Sequence, residues 1–376
     1  MKIAIIRKKY NPYGGAERYL QGLIRQLTEE GHEIHIYANI WPLHETDKTS
    51  FHKVPMIGAL SILKVWSFTI ATWFMMRKES FDIIFGNERV LIQDVYRVAD
   101  GCHKGWLSVR LKHLGFWRRM SVRLNPLHLS ILLLDWLIFT KNRSQILIAL
   151  SRQGKQEIIR LYNVSPDNIH VIYNGVDLQR FHPRNKQYRD EVRKELGIST
   201  KDNLLLFVGT GFERKGLKFL ISALPHLKDQ DIRLCVVGRG NTSSYRKLAR
   251  HLGVEELVYF PGAVDGAEKY YGAADILVFP TLYEPFGNVH LEALATGLPV
   301  ITSSLSGGSE IITPGGDGAV IEDPANPLEI AEKVRDVIKR MNEIDMGMEA
   351  RKKAEYFTLE RTVNELTYIF SKITNK

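Results

Sequence analysis

Apolar and polar positions follow two periods in turn along this chain. Residues 3–6 (Ile-Ala-Ile-Ile) form a short apolar run, and a Gly-containing turn and a helical stretch over about 16–30 come after it. Gly31 stops that helix, and 33–38 reads as the next strand. Residues 81–85 and 145–149 predict two more. The series restarts downstream. Residues 204–208 predict a strand ending at Gly209-Thr210-Gly211, and a helix is expected over about 215–226. Further strands are expected at 233–237, 258–260, 276–279 and 300–303. Helices fall at 245–252, closed by Gly253, and at 289–295, closed by Gly297 with Pro299 just beyond. Short apolar strands alternating with helices predict parallel sheets with crossover helices, an α/β chain.

The two series part near Tyr173-Asn174-Gly175-Val176-Asp177, a turn-rich stretch. At 376 residues the chain exceeds one ordinary core. The expected organisation is an N-terminal unit over 1–172, a C-terminal unit over 173–355, and a last helix over 356–376 packing back on the first. Open α/β sheets bind ligands at the carboxyl ends of their strands, which predicts a site in the cleft between the halves.

Two apolar stretches stand apart from this pattern. Residues 56–76 are long enough to span a bilayer and carry only Lys64 as a charge. A span would separate the strand at 81–85 from the rest of its sheet, so a buried or surface-docked helix is expected instead. Residues 127–139 are shorter and interrupted by Asp135. Just before them, 103–128 holds Lys104, Arg110, Lys112, Arg118, Arg119 and Arg123 and no acid. Trp106, Phe116, Trp117 and several leucines interleave with these cations. Cations that meet lipid phosphates, with aromatics at the headgroup boundary, predict an interfacial segment. The plainer alternative is a solvated basic face on a core helix.

The formal net charge of +9 agrees with an anionic partner. No nucleic-acid module is visible, so nucleic acid is not expected as that partner. Cys102 and Cys235 imply no disulfide framework, and the opening apolar run is too short for a secretory signal. A cytoplasmic protein, peripheral on the inner face of the cytoplasmic membrane, is expected.

Chemistry-bearing residues concentrate in four segments. In Glu284-Pro285-Phe286-Gly287-Asn288-Val289-His290-Leu291-Glu292, two carboxylates flank a strand-to-helix turn. The amides of Phe286 to Val289 lie at a helix start, where anions are favoured. In Gly209-Thr210-Gly211-Phe212-Glu213-Arg214-Lys215-Gly216, two adjacent cations precede a helix. Arg214 can grip phosphate oxygens in a bidentate way, and Lys215 adds a mobile charge. Gly14 and Gly15, within Tyr10-Asn11-Pro12-Tyr13-Gly14-Gly15-Ala16-Glu17, allow close backbone approach after the first strand. The spacing is not that of a dinucleotide-binding fingerprint. The fourth segment is Val98-Ala99-Asp100-Gly101-Cys102-His103. Asp229-Gln230-Asp231 precedes a strand rather than ending one, and reads as a polar turn, not a metal site. No zinc-type spacing occurs, so neither metal nor cofactor is expected.

The segment from Glu284 to Glu292, with its continuation to Val300, resembles the retaining glycosyltransferases of family 4. The resemblance covers nearly the whole chain and is strongest over 171–318. It implies the GT-B fold: two facing Rossmann-like domains with an interdomain active-site cleft. It implies that Arg214 and Lys215 hold the donor diphosphate and stabilise it as leaving group. Glu284 would position the donor sugar and Glu292 the ribose. Phe286, Gly287, Asn288, Val289, Gly14 and Gly15 would line the donor site. Asp100 falls where lipopolysaccharide core glucosyltransferases carry an Asp near the transferring sugar. Glu17 and His103 are candidates for the acceptor.

The expected activity is metal-independent transfer of a hexose, first of all glucose from UDP-glucose, to an anionic glycolipid such as lipopolysaccharide core. GDP-mannose, UDP-N-acetylglucosamine, UDP-galactose and ADP-heptose are alternative donors. A reading of another class is a non-catalytic membrane- or glycan-binding relative, and a third is a nucleotide-sugar epimerase. Loss of the Arg-Lys pair or of either glutamate would favour the binding protein, and all four residues are present.

Overall fold

The computed structural model describes residues 1–11, 14–42, 48–141 and 146–375. Pro12, Tyr13 and Gln145, named above, lie outside them. The chain divides into two compact units, Met1–Tyr173 with Leu359–Lys376, and Asn174–Thr358. Both breaks fall within a few residues of the expected boundaries.

Among the described residues, the first unit holds a seven-stranded sheet. Its strands are β1 (Lys2–Ile6), β2 (Glu33–Ala38), β3 (Thr49–Lys53), β4 (Ile83–Gly86), β5 (Val95–Arg97), β6 (Ile146–Ala149) and β7 (Ile169–Val171). All pairs are parallel, in the order β3-β2-β1-β4-β5-β6-β7. The helices are α1 (Gly15–Glu29), α2 (Ser61–Met76), α3 (His103–Lys112), α4 (Phe116–Arg123), α5 (Pro126–Thr140) and α6 (Arg152–Tyr162). Ile3, Ile5, Ile34, Ile36 and Phe85 fill the sheet's core layer against Leu20, Leu23 and Leu27 of α1. Strands covered on both faces need such continuous apolar runs.

The second unit contains α7 (Arg189–Leu196), β8 (Asn203–Val208), α8 (Leu217–Ala223), β9 (Ile232–Val237), α9 (Ser243–His251), β10 (Val258–Gly262) and α10 (Ala267–Ala273). It continues with β11 (Ile276–Phe279), α11 (Asn288–Thr296), β12 (Val300–Ser303), β13 (Gly318–Ile321), α12 (Pro327–Met341) and α13 (Met346–Ala354). Its six strands run parallel in the order β10-β9-β8-β11-β12-β13. The closing helix, α14 (Leu359–Thr374), belongs to the first unit. Val363, Leu366, Ile369 and Phe370 of α14 are buried in that unit's core, and the Phe370 ring meets Phe85 edge-on at 5.4 Å.

Several local expectations shift. The strand expected at 81–85 begins at Ile83, because Phe81 turns aside to pack edge-on against His35 and Tyr37. The helix expected at 215–226 starts at Leu217, after Gly216 in the left-handed region. It gives way at Leu224 to a 3-10 segment containing Pro225, which has no N–H to continue an α-helical ladder. Strands β3, β5, β7 and β13 lie outside the pattern-based strands. β5 and β7 are three residues long, and β3 is largely polar.

Each sheet reverses its winding once. In the first unit the reversal lies between β1 and β4, in the second between β8 and β11. At such a point the loops leaving two neighbouring strands diverge and leave a crevice at their carboxyl ends. The four candidate segments leave strands at or beside these crevices.

Candidate active site

In the second unit, Arg214 and Lys215 follow β8, and Glu284 follows β11. Arg214 Nη1 and Lys215 Nζ lie 3.2 and 3.6 Å from Glu284 Oε2. Arg214 also donates to the Tyr283 carbonyl, at 2.9 Å, while its own carbonyl accepts from Leu282 N–H and Thr281 Oγ1. The cation-bearing turn is thereby stitched to the loop after β11. Lys215 Nζ sits 4.6 Å over the Phe279 ring. Burial pushes the Lys215 pKa down, partly opposed by Glu284. Burial alone would raise the Glu284 pKa, but Arg214, Lys215 and His290 outweigh it and hold it below the ordinary value. The arrangement is a partly desolvated, ionised cluster of two cations and one anion.

Helix α11 begins at Asn288, with Gly287 as N-cap at φ 86° and ψ 95°. Phe286 is fully buried and Val289 nearly so. Asn288 Oδ1 accepts from Asn174 Nδ2. Glu292 lies one turn inside α11, where the hydroxyl of Tyr271, from α10, donates to its Oε2 at 2.6 Å. Structure therefore brings together Arg214, Lys215 and Glu284, and puts Glu292 and the α11 start on the same β11–α11 connection.

In the first unit, Gly14 caps α1, and a Cβ there would fall 1.9 Å from Glu17 Oε2. Only glycine leaves room for the Glu17 side chain to fold back toward Arg7, whose Nη2 donates to Glu17 Oε1 at 2.8 Å. Asp100 follows β5 and is half exposed, at 51%. Its Oδ2 lies 3.7 Å from Arg89 Nη1 and 3.9 Å from Arg7 Nη1. Burial works against the Arg7 charge, but Asp100, Glu88 and Glu17 outweigh it and raise its pKa. Arg89 is anchored from behind by fully buried Asp135, with Nε to Oδ1 at 2.6 Å. It donates as well to the Gly101 carbonyl, at 2.9 Å. His103 opens α3: its amide donates to Asp135 Oδ2 and its ring meets His128 at 3.0 Å. Burial pushes the His103 pKa down to about 4, leaving the ring neutral at pH 7. Its ring is thus engaged with His128 rather than with Asp100.

Sequence reasoning missed Arg7, Arg89 and Tyr271. Arg7 carries a local signal, being the first charge after the β1 run. Arg89 and Tyr271 carry none, because their partners come from other elements.

In the first unit, α2, α4 and α5 each show apolar side chains to solvent, those of α2 and α5 at helical spacing. They are Leu63, Ile70 and Phe74 on α2, and Leu129, Leu133 and Trp136 on α5. On α4, Phe116 and Trp117 are exposed, Trp117 to 83%. α5 packs against both α2 and α4. The one acid in these three helices is buried Asp135. Among the described residues no single helix is long and apolar enough to cross a membrane. α4 and α5 would suffice together, but bend by 54°. No three His, Cys, Asp or Glu side chains among the described residues come together as a metal site.

Comparison with known proteins bears on both units. The family profile described as Glycosyltransferase Family 4 matches residues 13–180, and that of Glycosyl transferases group 1 matches 188–355. An uncharacterised glycosyltransferase of Methanocaldococcus jannaschii is 29% identical over 361 residues, covering 88% of this chain and 87% of that one. The lipopolysaccharide glucosyltransferase WaaG of Escherichia coli is 26% identical over 339 residues, covering 89% of each. A crystal structure of WaaG superposes with a TM-score of 0.84 at 24% identity, covering 98% of this chain and 99% of that one. Anabaena HepE, solved in complex with UDP-glucose, superposes with a TM-score of 0.76 at 18% identity, covering 99% and 100%. With one family profile over each unit and relatives along nearly its whole length, the chain belongs to the family 4 glycosyltransferases of GT-B fold.

Proposed function

We propose that this glycosyltransferase moves a hexose from a nucleoside diphosphate to a hydroxyl of an anionic, membrane-borne glycolipid, with retention and without a metal. The observation that carries the reading is the Arg214–Lys215–Glu284 cluster at the β8–β11 switch point. A bound diphosphate competes with Glu284 for the two cations and frees its carboxylate to accept from sugar hydroxyls. The bond between the anomeric carbon and the diphosphate oxygen breaks, and the acceptor oxygen bonds to the same face. The acceptor proton passes to the departing phosphate. Arg214, Lys215 and the amides of Asn288 and Val289 stabilise the charge on the leaving group, usually the largest contribution such a site makes. Glu292, oriented by Tyr271, accepts from the ribose. Asp100, held by Arg7 and Arg89, accepts from a hydroxyl of the transferring sugar. Glu17 and His103 line the acceptor side.

UDP-glucose is the first donor to test. Similarity to WaaG and to HepE, which binds UDP-glucose, supports it over GDP-mannose, UDP-N-acetylglucosamine and ADP-heptose. The apolar and basic face of α2, α4 and α5 supports a membrane-borne acceptor and a peripheral place on the inner face of the cytoplasmic membrane.

A thermal-shift panel of sugar nucleotides in EDTA tests the donor half, repeated with Arg214→Ala and Glu292→Ala. Stabilisation by one of them, lost in both variants, is the expected outcome. No shift at millimolar concentration with any sugar nucleotide would sink it.

A further inference from the structure

His290 is the most buried titratable ring in the second unit, and the transfer chemistry has no use for its protons. It has no exposed surface, and burial pushes its pKa down to about 4. The ring is neutral at pH 7, so it is neither a phosphate-binding cation nor a general acid there. Its two nitrogens are nevertheless both engaged. Nδ1 lies 2.6 Å from the Gly287 carbonyl, and Nε2 lies 2.7 Å from Thr302 Oγ1. A carbonyl only accepts, so Nδ1 carries the proton. Nε2 then has a free lone pair, and Thr302 donates its hydroxyl proton to it. Thr302 stands on β12, and its Oγ1 is also 3.3 Å from the carbonyl of Phe279, the last residue of β11.

The rest of the loop is built around this ring. A Cβ on Gly287 would fall 2.7 Å from His290 Cε1, and one on Gly308 2.6 Å from Nδ1. The Phe279 ring closes the pocket edge-on at 5.3 Å. Two further carbonyls of the connection are tied elsewhere: that of Glu284 accepts from Gly307 N–H, that of Phe286 from Ser306 Oγ. The Gly287 carbonyl is held by His290 twice, through its backbone N–H at 3.1 Å and through its ring. With these carbonyls turned inward, the orientation of the peptide planes that carry the Gly287 and Asn288 amides is set. Glu284 lies against the same turn, its Cγ 3.1 Å from a Cβ built on Gly287.

We propose that His290, as its neutral Nδ1–H tautomer, is a positioning residue that clamps the Gly287 carbonyl to Thr302 and so aims the Asn288 amide and Glu284 at the donor diphosphate. It rests on the reading of this loop as the donor site. The clamp sits wholly inside the second unit and touches no substrate. It acts on the leaving group through the loop, where a displacement of about 1 Å can cost up to 100-fold in rate.

The probes are UDP, GDP and ADP, measured by calorimetry, and slow hydrolysis of the matching glucose or mannose nucleotide. His290→Phe keeps a flat ring and removes both bonds. His290→Asn puts an amide N–H where Nδ1 was and keeps the Gly287 bond, while Thr302→Val removes the far anchor. The His290→Phe variant is expected to bind the nucleoside diphosphate and turn over its sugar roughly 10- to 100-fold less well. His290→Asn restores most of that, and Thr302→Val falls between. A long-range nitrogen–proton spectrum of the wild-type protein is expected to show a fixed Nδ1–H tautomer that does not titrate between pH 5 and 8. Wild-type binding of one diphosphate together with equal binding and turnover in His290→Phe overturns the clamp alone. So does an Nε2–H tautomer, whether or not the variants fold. Absence of binding by the wild-type protein to all three diphosphates overturns the donor-site reading and the clamp with it.

Discussion

At Lys215 burial and charge pull in opposite directions, and the balance is what a phosphate site needs. A lysine stripped of water is a costly charge, and Glu284 offsets part of that cost in the free protein. The cation is therefore held dehydrated and ready for a second anion. His290 shows burial with no ionic partner at hydrogen-bonding distance, and its consequence for stability has a definite sign. The folded pKa of about 4 lies below the ordinary 6.5. The unfolded chain takes up this proton as pH falls through 6.5, and the folded chain only near 4. Stability from this group is complete above 6.5, declines between 6.5 and 4, and then levels. The loss approaches roughly 3 kcal/mol for a shift of this size. Urea unfolding between pH 7 and 4 is expected to show a shallower decline in His290→Asn than in the wild-type protein. Parallel curves would show that the ring's proton plays no part.

At the level of elements, helices that border the first unit's core divide their faces unequally. α1 is amphipathic in the ordinary way, with Tyr19, Leu20, Leu23 and Leu27 inward. α2 and α5 are apolar on both faces, which a soluble surface does not require. Phe68, Thr69 and Thr72 of α2 go inward, yet Leu63, Ile70 and Phe74 remain in solvent. α4 has no buried residue at all. The proposed membrane contact would satisfy both facts, with α2 and α5 supplying area for the hydrocarbon boundary and α4 cations for the headgroups. Two parts of the binding should separate by salt. In flotation with phosphatidylglycerol-containing vesicles, Arg118→Glu with Arg119→Glu is expected to cut binding roughly tenfold or more at about 0.1 M salt. Ile70→Ser with Phe74→Ser is expected to remove the fraction that stays bound at about 1 M salt. Wild-type-like flotation by both pairs would exclude this face as the membrane contact.

At the scale of the whole molecule, the chain leaves the first unit at Tyr173 and returns to it at Leu359. The return makes α14 a structural part of the N-terminal core rather than a tail. Phe370 is fully buried there, and Phe370→Ala is expected to destabilise the first unit by about 3–5 kcal/mol. Denaturant unfolding followed in the two units separately is the check. The donor-induced stabilisation of the second unit should persist, because Arg214, Lys215, Glu284 and Glu292 all belong to that unit and α14 does not.

How much of this was readable in advance depends on how local each feature is. Strand runs such as 3–6 and 204–208 declare themselves because a parallel strand covered on both faces must be apolar along its length. The motifs at 209–216 and 284–292 were readable because each packs its chemistry into one strand-to-helix connection. β3, β5 and β7 were not, being too short or too polar to stand out from turns. The partners of the site were not readable either. Glu284 meets Arg214 and Lys215 only because β8 and β11 are neighbours in the sheet. Tyr271 meets Glu292 only because α10 packs on α11, and Arg89 reaches Asp100 only from its anchor on Asp135. The amino-acid sequence by itself determined the α/β alternation, the two units and the composition of the candidate donor loop, since periodicity, glycine stops and contiguous motifs act over a few residues. Tertiary structure alone decided which charges neutralise one another and which unit owns α14, because those depend on strand order and packing between residues far apart in the chain.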